Sequence, residues 1–208
     1  LLILLPDEFK STIKEQISVF ISSLWDIGLE AGQSVRTISE CINLAKKDSS
    51  VSTNLLDARF LVGEKDLFSL LKKRRQESID SLSFSTSKLL ELKKRHARFQ
   101  DTPYSLEPNI KESPGGLRDV QTIKWICAQY EYASNSSAIS QSELLTLEET
   151  KQLNSHEKNL KKIRSYLHVI ASRTEDRLIF DLQTTVAKKL GYRDNDVRRA
   201  SEQLMQSY

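Results

Sequence analysis

The chain has 208 residues, room for one large domain or two small ones, and its 28% charged and 38% hydrophobic residues are typical of a folded, helix-rich protein rather than a disordered one. The 31 Lys and Arg side chains exceed the 28 Asp and Glu side chains by only three, which argues against a protein whose main task is to bind nucleic acid. Two distant cysteines, Cys41 and Cys127, make neither a disulfide framework nor a zinc motif, and favour a cytoplasmic protein.

The N-terminal third combines strand-like and helix-like segments. Leu1–Leu5 is a continuous apolar run ended by a proline, which predicts a strand buried on both faces and is far too short to span a membrane. Apolar residues at three- and four-residue intervals predict a helix over 9–28. A β-compatible segment at 33–37 then leads into a helix opened by a capping box of Thr37 and Glu40. Because the chain starts inside a predicted strand and without Met, we expect its natural beginning to lie upstream.

Residues 55–62 are predicted to form another strand, because they have strand length and an apolar majority. A two-residue period places Asp57 and Arg59 on the same face of that strand. Burying an ionised Asp there is costly unless the carboxylate is paired or binds a metal. Two interpretations of Asp57 therefore stay open: an ion pair with a nearby cation, and a carboxylate that faces a metal-dependent active site.

The rest of the chain is predicted to be an all-helical bundle. Helical patterns cover 66–76, 86–100 and 117–132, and a second capping box, formed by Thr146 and Glu149, opens a long helix that can run to about residue 173. His96 lies in a strongly basic helix with no metal-ligating residue at suitable spacing, so we interpret it as a surface or boundary side chain. Residues 135–137 are interpreted as a linker.

One stretch, Glu107–Asp119 with the sequence EPNIKESPGGLRD, places charged residues around a Pro-Gly-Gly break directly before a predicted helix. We call it the motif. Helix N-termini offer unpaired N–H groups, and Gly115 and Gly116 would let a ligand approach the backbone closely. With Lys111 and Arg118 alongside, the motif can form a phosphate cradle. Composition alone favours a plainer interpretation, in which the motif is only a turn that begins a core helix.

Several long stretches resemble, in one order, the bacterial PII-protein uridylyltransferase/uridylyl-removing enzyme family. They are WDIGLEAGQSVRT at 25–37, LLDARFL at 55–61, LEPNIKESPGGLRD at 106–119, RLIFD at 177–181 and AKKLGY at 187–192. The resemblance covers nearly the whole chain, and several long motifs in one order are far more specific than a single short one. With this resemblance, we favour the interpretation of the motif as a phosphate-binding site over the interpretation as a plain turn.

The resemblance implies a fold of the α+β class, mostly α, in which the remnant of a polymerase-β-like nucleotidyltransferase sheet is followed by a helical bundle. Residues 1–78 would be the C-terminal part of the nucleotidyltransferase domain, and residues 79–208 the helical domain. The Asp-x-Asp pair of the family is expected upstream of Leu1. The HD hydrolase domain and two ACT domains would belong to the same full-length chain, although no His-Asp dipeptide occurs within these 208 residues.

The chemistry implied by the resemblance is transfer of UMP from UTP to a tyrosine of the PII nitrogen-signalling protein, with Mg²⁺ held by carboxylates as the cofactor. Asp57 is the candidate catalytic and metal-binding carboxylate. Nucleotide or phosphate binding is assigned to Lys111, Arg118, Gly115, Gly116, Ser34, Arg36 and Arg59. Supporting roles are assigned to Glu107, Asn109 and Asp119, and the first two of these either orient the cations of the motif or touch the nucleotide.

Two other functions remain open. The chain could be a helical interaction module that docks PII or the neighbouring domains, with the motif as a hinge, or part of an adenylyltransferase of glutamine synthetase, which fits the motif less well. No nucleic acid or membrane is expected as a partner. We expect the isolated chain to be inactive, because a site with one remaining acid does not hold its metal ions.

Overall fold

A two-stranded parallel sheet and nine helices form the regular structure of the residues that the computed structural model describes, which are 1–9, 12–29, 32–134 without the side chains of 131–134, and 144–208. Helix predominates, so the predicted class, α+β and mostly α, is confirmed. The chain divides into two units, Leu1–Phe84 and Ser85–Tyr208. Each unit is described by itself below.

The first unit holds the sheet. Its elements are β1 (Leu2–Leu5), α1 (Thr12–Asp26), β2 (Ser34–Thr37), α2 (Ile38–Lys47), α3 (Ser49–Leu56) and α4 (Lys65–Ser78). The strands pair in parallel, with Leu2 opposite Ser34 and Leu5 opposite Thr37, and α1 supplies the crossover that a parallel pair needs. Both predicted strands are confirmed, but Leu2, Ile3 and Leu4 are only half-buried, because one face of β1 packs on the core.

The core of the first unit is built on α2. The predicted capping box is present: the Thr37 hydroxyl accepts the Glu40 N–H, and the Glu40 carboxylate accepts the Thr37 N–H at 2.8 Å. Helical spacing then places four side chains of α2 on one face, where they pack with residues of α3 and α4. The buried cluster consists of Ile38, Cys41, Ile42, Ala45, Leu55 and Leu71.

The predicted strand at 55–62 is wrong. Asp48 ends α2 and at once begins α3, since its carboxylate accepts the Ser50 N–H at 2.7 Å. Val51 and Leu55 face the core at helical spacing, and Asp57 follows as the exposed C-cap of α3. The apolar residues at 55–62 therefore belong to a helix end and an irregular segment. The burial cost expected for Asp57 in a strand does not arise.

The second unit is an all-helical bundle, as predicted. α5 (Ser81–Ala97) enters it from the first unit, and α6 (Leu117–Ser134), α7 (Leu147–Ala171), α8 (Phe180–Lys189) and α9 (Ala200–Ser207) follow. The helices predicted at 86–100, 117–132 and 146–173 are confirmed to within a few residues, including the capping box of Thr146 and Glu149. The linker predicted at 135–137 lies outside the described residues.

The buried cluster of the second unit includes residues of the motif itself. Its members are Ile110, Leu117, Val120, Leu160, Ile163, Leu167, Leu178, Val186, Ala187, Ala200 and Leu204. An antiparallel bridge between Asn109 and Arg177 ties the motif to the segment before α8, with the Ile110 N–H donating to the Asp176 carbonyl at 2.8 Å. The motif is thus anchored in the core of its unit.

Within the described ranges, none of the helices combines the length and the apolar character that a membrane span requires.

Candidate functional site

Asn109 shapes the turn on which Lys111 stands. Its side-chain oxygen accepts the N–H groups of Lys111 at 3.0 Å and Glu112 at 2.8 Å, the pattern of an Asx turn. Its own N–H donates to the buried Ser113 hydroxyl at 2.9 Å. Of the two roles that the sequence leaves open for Asn109, these contacts favour orientation of the cation over contact with a nucleotide.

The two glycines of the motif are required for different reasons. Gly115 is exposed and has a φ of +80°, a backbone conformation that residues with a Cβ rarely adopt. Gly116 is buried, and a Cβ built on it would lie 2.8 Å from the Ile110 carbonyl oxygen and 2.9 Å from that of Ser113. Gly115 is therefore needed for its positive φ. Gly116 is needed because the backbone around Ile110 and Ser113 leaves no room for a side chain.

The N–H groups at the start of α6 are already used inside the motif. The first N–H groups of a helix usually lack partners, and the predicted phosphate cradle depends on that property. Four of them donate to oxygens of the motif itself: Gly115 to the Asp119 carboxylate at 2.7 Å, Gly116 to Ser113 at 2.8 Å, Leu117 to Ile110 at 2.9 Å and Arg118 to Lys111 at 2.8 Å. A phosphate held by the glycine N–H groups would have to break these bonds, so the cationic side chains are the donors that this geometry offers.

Lys111 and Arg118 both have N–H donors that make no hydrogen bond to the neighbouring carboxylates. The Lys111 ammonium lies 3.8 Å from Glu112 and 4.0 Å from Asp176, both beyond hydrogen-bond length. Arg118 donates from Nη1 to Gln121 at 3.0 Å, while its Nη2 lies 3.7 Å from the same Glu112 carboxylate. Their side chains are 37% and 33% exposed. The two cations therefore flank one carboxylate at a half-exposed surface, without being tied down by it.

Asp119 is the most heavily bonded carboxylate of the motif. It accepts hydrogen bonds from the Arg95 guanidinium, from His96 Nε2 at 2.9 and 3.0 Å, and from the Gly115 N–H. Its side chain is only 15% exposed. The sequence analysis missed Arg95 and found no partner for His96, because spacing rules compare neighbours along one helix and Asp119 lies on another.

Asp176 forms a second cluster next to the motif, and the sequence analysis did not single it out. Its carboxylate accepts from Arg164 Nε at 2.6 Å and from His168 Nε2 at 3.0 Å, and it lies within 4.0 Å of Lys111. Burial alone would raise the pKa of Asp176, but the hydrogen bonds from Arg164 and His168, with the charges of Arg164 and Lys111, outweigh burial and hold that pKa below its ordinary value.

This lowered pKa predicts a dependence of stability on pH. A carboxylate with a folded-state pKa below its unfolded value stabilises the protein above the ordinary pKa of 3.8, and this contribution disappears as the pH falls through the lowered value. We therefore expect Asp176→Asn to show a smaller loss of unfolding free energy than the wild type between about pH 6 and about pH 3. Urea unfolding at both pH values measures this loss for each protein. Asp196→Asn, at an exposed carboxylate, is the control; equal losses in all three proteins would contradict the prediction.

The Glu107 side chain binds the N-terminal end of α8. One oxygen of its carboxylate accepts the Phe180 N–H at 3.0 Å, at the first residue of that helix, and the other lies 3.2 Å from the Arg177 guanidinium. A carboxylate at a helix N-terminus is favourable, because it satisfies a backbone donor and meets the positive end of the dipole. These contacts give Glu107 a structural task away from the two cations.

The remaining candidates belong to the first unit. Ser34 and Arg36 are half-buried on one face of β2, whereas Asp57 and Arg59 are exposed at and after the end of α3. The chemical roles assigned to these four residues stay predictions. Within the described part of the chain, no three His, Cys, Asp or Glu side chains come together as a metal site. Mg²⁺ is usually held by one or two carboxylates together with waters and substrate phosphates, and the described residues by themselves do not bring such a cluster together.

A cavity of about 250 Å³ is lined by residues of α6, of α7 and of the segment just before α7, and by none of the motif. Its lining residues are Lys124, Cys127, Ala128, Leu145, Thr150, Leu153 and Asn154. None of them is a predicted site residue.

Comparisons with known proteins point to one family. A family model described as GlnD PII-uridylyltransferase matches residues 83–208, which contain the motif and both carboxylate clusters. Proteins from Burkholderia orbicola, Burkholderia mallei and Burkholderia thailandensis, each named bifunctional uridylyltransferase/uridylyl-removing enzyme, are 49% identical to the chain over all 208 residues. The chain spans 24% of the length of each of these curated relatives. No solved structure matches it.

Proposed function

The chain belongs to the GlnD PII-uridylyltransferase family, and from this premise we propose that it is part of an enzyme that transfers UMP from UTP to a tyrosine of the PII signalling protein. The name of the relatives supports uridylyl transfer, and the description of the family supports PII as the acceptor. Mg²⁺ is the proposed cofactor of the full-length protein, with Asp57 as one of its ligands. The isolated chain is proposed to be inactive, and the full-length protein is proposed to work in the cytoplasm.

The observation that carries the proposal is the pair of cations at the motif. Lys111 and Arg118 face the same Glu112 carboxylate at distances too long for hydrogen bonds, so both retain donors for an incoming anion. A triphosphate offers oxygens of higher charge density than one carboxylate. An arginine can grip two of them at once, while a lysine acts as a point charge. In the proposal, the UTP phosphates replace Glu112 as the partner of both cations.

The proposal assigns nucleotide binding to further residues in each of the two units. In the second unit, the proposal keeps Gly115 and Gly116 as binding residues on the condition that the phosphate displaces their present acceptors. In the first unit, Ser34, Arg36 and Arg59 are proposed as contacts for phosphate or ribose. Asn109, Glu107 and Asp119 support the motif through the contacts described above.

The test is UTP binding to full-length variants. We expect Lys111→Ala and Arg118→Ala each to raise the dissociation constant for UTP roughly tenfold or more, because each removes a charged hydrogen bond to phosphate. Titration of UTP in the presence of Mg²⁺, followed calorimetrically, measures this constant. Lys188→Ala is the matched control, since Lys188 is a lysine of the same unit with a 60% exposed side chain at the end of α8.

The same titrations separate the alternatives. Unchanged affinity for UTP together with lost binding of PII would favour the helical interaction module. Stronger binding of ATP than of UTP, with glutamine synthetase as the acceptor, would favour the adenylyltransferase.

A further inference from the structure

We propose that Arg95 and His96, at the C-terminal end of α5, are positioning residues for nucleotide binding. They hold the Asp119 carboxylate, and Asp119 in turn holds the Gly115 N–H and with it the turn that carries the two cations of the motif. Neither residue touches the nucleotide in this account. The inference rests on the proposed function, because it needs the motif to bind UTP.

Three donor groups surround the Asp119 carboxylate, and one of them, His96 Nε2, is shared between its two oxygens. Oδ2 accepts from Gly115 at 2.7 Å and from His96 at 2.9 Å, while Oδ1 accepts from Arg95 and from His96 at 3.0 Å. An ionised carboxylate provides about four acceptor positions, and these three donor groups take up most of them. Its orientation is therefore determined by α5 on one side and by the glycine turn on the other.

The chemistry of the pair assigns the proton on His96. A carboxylate only accepts hydrogen bonds, so Nε2, which lies within reach of both oxygens, must carry a hydrogen. This condition is met by the imidazolium and by one neutral tautomer. The contact between His96 and Asp119 thus persists whether or not the ring is charged.

Part of the surroundings of Asp119, on the side of Arg95 and Tyr208, is buried. Burial, followed by the charge of Asp119, raises the pKa of Tyr208 to about 12. The Tyr208 hydroxyl and the Arg95 Nε are both buried without a hydrogen-bond partner among the described residues. Because solvent does not reach these two atoms, water will not readily take the place of a donor that Asp119 loses on this buried side.

A change at Asp119 would reach both cations through the backbone. Arg118 immediately precedes Asp119 in the first turn of α6, and its N–H donates to the Lys111 carbonyl at 2.8 Å. Gly115, with its φ of +80°, has few steric restraints of its own, so the bond from its N–H to Asp119 is an important restraint on its conformation. Loss of a donor from α5 would therefore make the turn more mobile. The side chains of Lys111 and Arg118 would then no longer be held on the same side of the motif.

The experiment compares His96→Ala, His96→Gln and the control His156→Ala in the full-length protein; His156 is an exposed histidine of α7. We expect His96→Ala to raise KM for UTP roughly tenfold with kcat within about twofold of wild type, and to speed hydrogen exchange of the Gly115 amide by a similar factor. His96→Gln should restore both values, because the Gln Nε2 can donate from nearly the same position. His156→Ala should change neither.

Three results would overturn the inference, and they differ in what they say about the proposed function. Wild-type KM and wild-type Gly115 exchange in His96→Ala, with a raised KM in Lys111→Ala, would remove the positioning role and leave the proposed function intact. A His96→Gln protein that regains the unfolding midpoint but not KM would show that His96 affects UTP binding by some route other than its hydrogen bond to Asp119. An unchanged KM in Lys111→Ala would remove the proposed function, and the inference with it.

Discussion

Gly116→Ala should lower the free energy of unfolding by about 3 kcal/mol, one of the two largest effects that we expect from a single substitution in this chain. The added methyl group would lie 2.8 Å from the Ile110 carbonyl oxygen, 2.9 Å from the Ser113 carbonyl oxygen and 3.2 Å from the Lys111 carbonyl carbon. All three are backbone atoms, which cannot rotate away as a side chain can. Relief of the overlap must move the backbone that forms the hydrogen bonds from Gly116 and Leu117.

Gly115→Ala is the matched control for this prediction. Its Cβ would meet nothing within 4 Å, so its cost comes only from the positive φ, which is about 1 kcal/mol for a residue with a side chain. Urea unfolding of both variants, followed by circular dichroism, gives the two losses. A Gly116→Ala protein no less stable than Gly115→Ala would contradict the backbone overlap.

Asp57→Asn should lower uridylyl transfer by the full-length protein on the order of 1,000-fold, if Asp57 has the catalytic role that the proposal gives it. The amide keeps the size of the side chain but carries no charge, so it can neither attract a cation nor accept a proton as the carboxylate does. Incorporation of labelled UMP into PII measures the effect. Asp66→Asn, at an exposed carboxylate of the same unit, should leave the rate unchanged.

The stability of Asp57→Asn makes this prediction sharper. Asp57 is exposed, and its backbone N–H donates to the Thr53 carbonyl at 3.0 Å, a bond that asparagine retains. A carboxylate at the C-terminal end of a helix also lies at the unfavourable end of the helix dipole. We therefore expect the unfolding free energy to change by less than about 0.5 kcal/mol. Near-normal transfer by a stable Asp57→Asn protein would remove this residue from catalysis.

The charged residues around the motif divide into two groups with different tasks. Arg95, Arg164 and Arg177 make close contacts with Asp119, Asp176 and Glu107, and these pairs join the motif to the helices around it. Lys111 and Arg118 are instead held near carboxylates without hydrogen bonds to them. The first group builds the structure of the motif, and this division is the reason why the proposed function places phosphate on the second.

The family and most of the secondary structure follow from the sequence by itself. The predicted family is confirmed by the matching family model, because long motifs in one order survive the divergence of a chain that is 49% identical to its relatives. The helices and both capping boxes are confirmed, because apolar periodicity and capping side chains act over three to four residues. The strand predicted at 55–62 failed at the point where Asp48 caps two helices in succession, a local signal that a count of apolar residues does not include.

Only the tertiary structure decided which charged residues meet. Asp119 binds Arg95 and His96 of another helix, Glu107 meets Arg177 across 70 positions of sequence, and Asp176 joins Arg164 and His168 to the motif. Local patterns report a period or a cap, but they carry no information on which helix ends pack together. An ion pair between distant residues exists because core packing brings its members within about 3 Å, and that packing is a property of the folded unit rather than of any segment within it.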